Sequence, residues 1–253
     1  MVKMKQYRFT RFTLAFYFFA GLYAAAILIP LYFVLMSSFK ENAEIFLSPL
    51  ALPQEFDFNN FFAAEKFANL SRAMGISLLI TGAAELLALL LAFPAAYAIA
   101  RIPSRLSSTV ESIFGFGFLV PAFAILLPIF LLMAKTGLLY KPLSLILFYP
   151  ATRLPITVLI IASYLRQVPK ELEESAQLDG ATRLQMIIRI LFPLTAPGVI
   201  TVVILNFIAF WNEFMFALIL LNTKTRTIQL AVTALKGEHS VDYGLIAAGI
   251  VLS

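Results

Sequence analysis

Long apolar runs separated by shorter polar stretches dominate this chain of 253 residues. A helix needs roughly 20 mostly apolar residues to cross the hydrocarbon core of a membrane. We interpret the apolar runs as six spans, at approximately 12–36, 75–100, 111–134, 143–165, 195–221 and 243–253. The pattern therefore predicts an all-α, polytopic integral membrane protein with a single transmembrane domain over residues 1–253.

The third and sixth runs differ from the others. The third contains Pro121 and Pro128, which a transmembrane helix tolerates where neighbouring helices or water satisfy the freed carbonyl groups. The sixth begins at Tyr243 and is too short to cross a membrane as it stands. The polar stretches between the runs are interpreted as loops, and the first long loop has a short surface helix at about 61–69.

Composition supports the membrane interpretation and excludes several kinds of chemistry. Hydrophobic residues make up 61% of the chain, charged residues make up 13%, and the mean hydropathy is +0.90. The chain has no Cys and a single His, His239, which excludes disulfides, thiol nucleophiles and Cys/His zinc sites. It also has no GxxxxGK[ST] stretch. We therefore predict that the chain itself binds no ATP, metal or other cofactor.

The distribution of positive charge predicts the orientation. Residues 1–11 carry Lys3, Lys5, Arg8 and Arg11 and no acidic residue. Cytoplasmic segments next to spans are enriched in Lys and Arg, so the N-terminus is predicted to be cytoplasmic. Four spans later, residues 166–194 are then cytoplasmic as well. The net charge of +5 follows this topology and does not indicate nucleic-acid binding.

The polar segment between the fourth and fifth spans, here named loop 166–194, has helical features of its own. Acidic residues open a first short helix, Gly180 interrupts it, and Thr182 can cap a second helix that ends before Pro193. Apolar residues recur three or four positions apart, as on one face of a helix: Leu178, Ala181, Leu184, Ile188 and Leu191. Such a face can dock into the groove of a partner protein or lie on the lipid surface.

A longer pattern in the same loop carries a family resemblance. Glu174-Ser175-Ala176 is followed by Gly180, by Ile190 and by Phe192-Pro193. This spacing resembles the Glu-Ala-Ala loop of bacterial ABC importer permeases, and the surrounding residues resemble the sugar-importer branch with maltose-type inner-membrane subunits. Ser175 and Phe192 depart from the commonest pattern, but they preserve small size and apolar character.

The resemblance implies a function and a set of partners. By it, loop 166–194 couples the chain to an ATPase, and the coupling residues are Glu174, Ser175, Ala176, Asp179, Gly180, Ala181, Leu184, Ile190 and Pro193. The expected assembly contains a second homologous permease, two cytoplasmic ATPase subunits that bind ATP and Mg, and an extracytoplasmic solute-binding protein. The expected location is a bacterial cytoplasmic membrane, in contact with lipid. The sixth helix is expected to be completed by residues beyond the given sequence.

Other functions remain open alternatives. An ABC permease for a non-sugar solute shares the same coupling pattern. A secondary transporter usually has inverted repeats and broken helices, and no repeat is visible here. An intramembrane enzyme needs a cluster of His, Asp or metal ligands within the membrane, and the sequence has none.

Polar residues in the fifth span are candidates for a solute path. Asn206 lies near its middle, and Trp211, Asn212 and Glu213 follow towards the outer side. Polar groups at such depth normally face protein or a water-filled cavity. We predict that Asn206 and Asn212 face the path, and the alternative is that they pack against neighbouring helices. For Trp211 and Glu213 a structural role is the stronger interpretation.

Two buried charges suggest a contact between spans. Glu85 and Arg153 both lie about ten residues into their helices, roughly 15 Å deep at about 1.5 Å per residue. Equal depth and opposite charge predict a direct ion pair between the second and fourth spans. The competing hypothesis is that Arg153 faces the path and binds an acidic sugar.

Overall fold

A computed structural model describes residues 11–102, 104–117, 121–237 and 241–253 of the chain. Within these residues, every regular element is helical. The α-helices are α1 (Arg11–Ser37), α2 (Asn42–Leu47), α3 (Asn59–Ala68), α4 (Leu70–Arg101), α5 (Arg105–Gly117), α6 (Leu126–Lys135), α7 (Pro142–Gln167), α8 (Glu171–Leu178), α9 (Arg183–Met186), α10 (Phe192–Leu194), α11 (Ala196–Trp211), α12 (Met215–Leu220), α13 (Ile228–Thr233) and α14 (Tyr243–Val251). The all-α prediction is confirmed for the described residues.

Fewer helices than predicted are long enough to span a membrane. In the described part of the chain, three helices are long and apolar enough: Thr13–Ser37, Leu70–Arg101 and Pro142–Gln167. A fourth span is possible if Arg183–Leu194 and Ala196–Trp211, which meet at 76°, count as one broken helix. The count of six spans therefore stays a prediction.

The third and fifth predicted spans are broken helices rather than continuous ones. The third is divided among α5, a 3-10 turn at Ala122–Ile125 and α6. Pro121 precedes that turn in an extended conformation, and its missing N–H cannot continue a helix. The fifth is divided between α11 and α12, because the side chains of Asn212 and Glu213 bond to backbone groups at the break. The predicted surface helix at 61–69 overlaps α3.

The described residues form two compact units, the first containing residues 1–70 and 231–253. In this unit α14 packs against α1, α2 and α3. The amide of Asn42 bonds both Val241 O and Tyr243 N–H, at 3.1 and 2.8 Å. From Leu14 to Tyr32 every residue of α1 is exposed in the chain alone. A helix that is apolar on all sides is covered by lipid or by another protein.

The second unit, residues 71–230, is built around α4, α7 and α11. Four alanines spaced four residues apart give α4 a smooth, fully buried face: Ala84, Ala88, Ala92 and Ala96. Small residues let helices approach closely in a membrane. Gly198 of α11 has the same effect, because an added Cβ there would collide with the Tyr164 ring. Close approach brings polar groups on the three helices within hydrogen-bonding distance.

Two apolar clusters fill this second unit. One contains Ile80 of α4, Phe148 of α7 and Phe210 of α11, and the other contains Ala92, Val158 and Val202 of the same helices. The stretches of α4, α7 and α11 between the clusters carry Glu85, Arg153, Thr157 and Asn206, here named the polar layer. Polar side chains are thus concentrated at one level of the unit.

Candidate functional site

Loop 166–194 contains two short helices joined by a tight turn at Gly180. The first, α8, has Glu171, Glu173 and Glu174 in its first turn, where carboxylates complement the helix dipole. Gly180 has φ +83°, a conformation that glycine adopts without steric cost. Its N–H bonds Gln177 O at 3.0 Å and that of Ala181 bonds Ala176 O at 2.9 Å, which is the Schellman pattern of helix ends. The turn therefore lies where the sequence predicted it.

The second helix begins at the predicted cap and ends later than predicted. Thr182 and Gln185 form a reciprocal capping box, with N–H···O distances of 2.9 and 3.3 Å. The prediction that this helix ends before Pro193 is wrong. A π-helical turn at Ile187–Leu191 continues directly into α10, so Pro193 lies within continuous helical backbone.

The two helices present an apolar face that the described chain leaves uncovered. Leu178, Leu184 and Ile188 are 89%, 66% and 58% exposed, whereas Leu191 of the predicted apolar stripe is buried. Contiguous exposed apolar residues rimmed by charges mark a surface that another molecule covers. The face formed by Leu178, Leu184 and Ile188 is here named the docking face.

The other predicted coupling residues surround this face or support it. Glu174, Ser175, Asp179 and Pro193 are exposed, whereas Ala181 and Ile190 are half-buried and Ala176 is buried. The Ser175 hydroxyl donates to Glu171 O at 2.8 Å, so it is used within the helix. The exposed surface of the loop thus carries charged residues, and buried or half-buried apolar residues lie beneath it.

The inner side of α8 is attached to the end of α4 by charged groups. Glu173 forms an ion pair of 2.5 Å with Arg101, and both side chains are more than nine-tenths buried. The Arg101 guanidinium also donates to Val168 O at 2.7 Å, and the Tyr97 hydroxyl bonds Glu173. The ion pair of Arg101 and Glu173 is here named the anchor pair. The sequence did not predict it.

Hydrogen bonds connect the three helices at the polar layer. Asn206 is completely buried, and its amide nitrogen donates to Glu85 Oε1 at 3.3 Å and to Thr157 Oγ1 at 3.1 Å. Thr157 also donates to Arg153 O at 2.9 Å. Asn206 therefore faces protein in this structure and does not line a path, which corrects the prediction that it does.

The direct ion pair predicted between Glu85 and Arg153 is not formed in the described structure. The two residues do lie at the same level, as predicted from their depth, but Asn206 of α11 takes the position next to Glu85. The Arg153 guanidinium approaches Leu205 O at 3.5 Å instead. Glu85 Oε2 and Arg153 Nε are buried without hydrogen-bond partners. The position of Glu85 along its helix therefore did not determine which side chain of a neighbouring helix contacts it.

The three remaining path candidates lie at the end of α11. Trp211 is half-buried and stacks on Phe207 with ring centroids 5.5 Å apart. Asn212 is exposed and caps the helix by donating to Ile208 O at 2.9 Å. Glu213 accepts from the Phe216 and Ala217 N–H groups and from the Tyr149 hydroxyl, at 2.9 to 3.0 Å. Glu213 is thus a structural cap of α12, the stronger of its two interpretations.

Some structurally important residues were not singled out from the sequence. Thr157 and Tyr149 are polar residues within an apolar run, and that property alone is the signal that could have identified them. Arg101 and Glu173 are charged residues on separate segments, and no sequence pattern indicates that they pair. Among the described residues, no cluster of His, Asp and Glu could hold a metal ion.

Comparisons with known proteins give one consistent result. Residues 86–253 match the family model described as "Binding-protein-dependent transport system inner membrane component". The chain is 31% identical over 235 residues to the diacetylchitobiose uptake system permease protein NgcG of Streptomyces coelicolor, covering 92% of this chain and 78% of that protein. It is 29% identical to the melibiose/raffinose/stachyose import permease protein MelC of Bacillus subtilis, covering 92% and 85%.

A solved structure has the same fold. It is a bacterial ABC transporter involved in the import of the acidic polysaccharide alginate, with a TM-score of 0.85 and 20% sequence identity. The match covers 98% of this chain and 94% of that chain. At this identity the likeness concerns the fold alone.

Proposed function

Because the chain belongs to the family of binding-protein-dependent inner-membrane transport components, we propose that it is the permease subunit of an ATP-driven sugar importer. The sugar class is supported by relatives named for the uptake of diacetylchitobiose and of melibiose, raffinose and stachyose. The substrate we propose is accordingly a sugar or oligosaccharide, moved into the cytoplasm. The ATP and Mg sites belong to a partner.

The docking face carries this proposal. Leu178, Leu184 and Ile188 lie exposed on a rigid helical pair, and the exposed carboxylate of Glu174 lies in the same loop. An amphipathic helix with an apolar face three or four residues in period fits a groove on a partner protein. The occupant we propose is a cytoplasmic ATPase subunit, with the chain's N-terminus on the same side of a bacterial-type membrane.

The proposed mechanism follows from this contact. ATP closes the ATPase dimer and moves loop 166–194 together with the equivalent loop of a second, homologous permease. The spans then open towards the outside, where a solute-binding protein releases the sugar between the two permeases. Of the path candidates, Arg153, Trp211, Asn212 and Glu213 keep exposed or half-buried surface. Hydrolysis of ATP returns the spans to the inward-facing state.

An exposed leucine on each side of the predicted membrane gives a matched test. Leu184→Asp places a charge on the docking face, and Leu47→Asp places the same charge on α2, where Leu47 is 86% exposed. The tagged chain is produced with its complete transporter and purified from membranes, and the ATP hydrolysis that co-purifies is measured. We expect Leu184→Asp to lose most of this activity and Leu47→Asp to keep it. Equal activity in the two variants would remove the docking face as the ATPase contact.

A second measurement tests the sugar class. The purified transporter in proteoliposomes, with its solute-binding protein outside, should take up a labelled oligosaccharide only when ATP is enclosed. Unlabelled mono-, di- and trisaccharides should reduce uptake of the labelled oligosaccharide in proportion to how tightly each is bound. Competition by amino acids or peptides, and none by sugars, would assign a non-sugar solute.

A further inference from the structure

The anchor pair joins loop 166–194 to one specific helix of the second unit. Arg101 is the last residue of α4, and Glu173 lies in the first turn of α8. Arg101 also bonds Val168 O, in the link between α7 and α8, and Tyr97 bonds Glu173 from one turn earlier on α4. The end of α4 is therefore fixed to the start of α8 by three separate contacts.

Burial distinguishes the anchor pair from an ordinary surface ion pair. Its side chains are 6% and 9% exposed, whereas those of Arg166 and Glu111, which also form an ion pair, are 45% and 36% exposed. A buried ion pair loses so much hydration that apolar replacements are often no less stable. Its documented use is to specify how two elements are aligned. The anchor pair is accordingly better suited to alignment than to stability.

The outer and inner sides of α8 have different contacts. Leu178 is 89% exposed and belongs to the docking face, whereas Glu173 and Ala176 are buried on the opposite side. A force applied to the docking face at Leu178 can therefore reach Arg101 through the inner side of α8. The charged contact on that side is Glu173 to Arg101.

Helix α4 extends this connection to the polar layer. It is continuous over 32 residues, from Leu70 to Arg101. Glu85 lies 16 residues before Arg101 on it, roughly 24 Å along the axis at about 1.5 Å per residue. Glu85 bonds Asn206 of α11, which ends next to the path candidates Trp211 and Asn212. One continuous helix, with Pro94 between the two contacts, thus connects α8 with the helix that carries these candidates.

We propose that Arg101 and Glu173 are positioning residues that transmit the movement of loop 166–194 to α4, and so couple ATP hydrolysis to solute movement. This inference rests on the proposed function, because it requires an ATPase on the docking face. Without the anchor pair, α8 can follow the ATPase while α4 stays behind. ATP is then hydrolysed without transport.

The coupling ratio, solute molecules transported per ATP hydrolysed, tests this inference in the purified complex in proteoliposomes. Only assembled complexes contribute to either rate, so a residue that merely stabilises the fold leaves the ratio unchanged. We expect Arg101→Gln and Glu173→Gln to lower the ratio at least fivefold. Glu111→Gln, which breaks the exposed ion pair with Arg166 from α5, is the matched control and should keep the wild-type ratio.

Two further variants address the charge and the geometry. The swap Arg101→Glu with Glu173→Arg restores an ion pair and should recover part of the ratio. Arg101→Lys keeps the charge but cannot hold both Glu173 and Val168 O in the same geometry, so its ratio should be intermediate. If Arg101→Gln fails to assemble, the coupling ratios measured for Glu173→Gln and for Arg101→Lys test the inference instead. Both substitutions are close in volume to the natural residue.

The outcomes separate the inference from the proposed function. Wild-type ratios in the assembled anchor-pair variants overturn the inference and leave the proposed function intact. A wild-type complex that moves solute without hydrolysing ATP overturns both. A low ratio in Glu111→Gln as well as in Arg101→Gln overturns the specific role of the anchor pair.

Discussion

Replacing Asn206 by Leu tests whether the polar layer holds α4, α7 and α11 together. Leu has the same number and branching of side-chain heavy atoms, so the change removes the amide and keeps the shape of the side chain. Asn206 donates to Glu85 at 3.3 Å and to Thr157 at 3.1 Å, and both bonds are lost in Asn206→Leu. Thr157 keeps its bond to Arg153 O at 2.9 Å, so Glu85 is the group that loses its described hydrogen bond.

The expected cost depends on which of two effects dominates. Hydrogen bonds between membrane helices are worth about 0.6 kcal/mol on average, so two lost bonds alone cost about 1.2 kcal/mol. A buried polar group left without a partner costs about 1–3 kcal/mol, and a charged group costs more. Glu85 is 9% exposed and its Oε2 already lacks a partner. We therefore expect Asn206→Leu to lower the free energy of unfolding by about 2–3 kcal/mol.

The measurement is equilibrium unfolding of the purified protein in mixed micelles. Asn212→Leu is the matched control: the same change at the end of the same helix, where the exposed amide caps only Ile208 O. Asn212→Leu should lower the free energy of unfolding by about 0.5–1 kcal/mol. Glu85→Gln added to Asn206→Leu should recover part of the loss, because an unpartnered amide costs less to bury than an unpartnered carboxylate.

Two results would refute this account. A cost below about 0.5 kcal/mol for Asn206→Leu means that the polar layer contributes no more than a surface contact. A double variant less stable than Asn206→Leu alone means that the Glu85 charge has another stabilising partner, for which Arg153 of the polar layer is a candidate.

Three further outcomes are expected. Gly180→Val forces a β-branched residue to φ +83°, at a cost of about 1–2 kcal/mol or more, and should lose co-purified ATPase activity, whereas Gly180→Asn should keep it. In this Cys-free chain, Asn212→Cys should react with a water-soluble thiol reagent and Asn206→Cys should not; equal rates would contradict the burial of Asn206. Glu213→Ala removes three hydrogen bonds and should lower the unfolding temperature more than Tyr149→Phe, which removes one; the reverse order would contradict the cap of α12.

Local features of the structure were largely predictable from the sequence. The turn at Gly180 and the cap at Thr182 follow from the conformational freedom of glycine and the acceptor oxygen of threonine, both properties of single residues. The apolar runs at α1, α4 and α7 are long enough to be recognised by composition. Family membership could also be inferred, because the spacing from Glu174 to Pro193 combines many positions.

The breaks within helices were harder to predict. Pro121 was treated as tolerated inside a span, although the chain is extended at that residue. The break after Trp211 depends on Asn212 and Glu213 bonding nearby backbone groups in place of the helix. A hydropathy run does not distinguish a polar side chain that points away from a helix from one that ends it.

Contacts between distant segments were the least predictable. Arg101 and Glu173 are 72 positions apart, and their pairing depends on where α8 packs. For Glu85 and Arg153 the structure places both residues in the polar layer, but Glu85 bonds Asn206 and Arg153 contacts Leu205 O. Depth follows from counting residues along one helix, whereas facing depends on the packing of three helices, and no single segment encodes that packing.

Within the polar layer, the remaining capacity for binding is concentrated on Arg153. Asn206 and Thr157 are completely buried and bond their neighbours, and Glu85 is nearly so. Arg153 is half-buried, its guanidinium has one long contact to Leu205 O, and its Nε has no partner. A guanidinium presents five N–H donors in a plane, more than these contacts use. The path hypothesis therefore depends on Arg153 and on the residues at the end of α11, Trp211 and Asn212, rather than on Asn206.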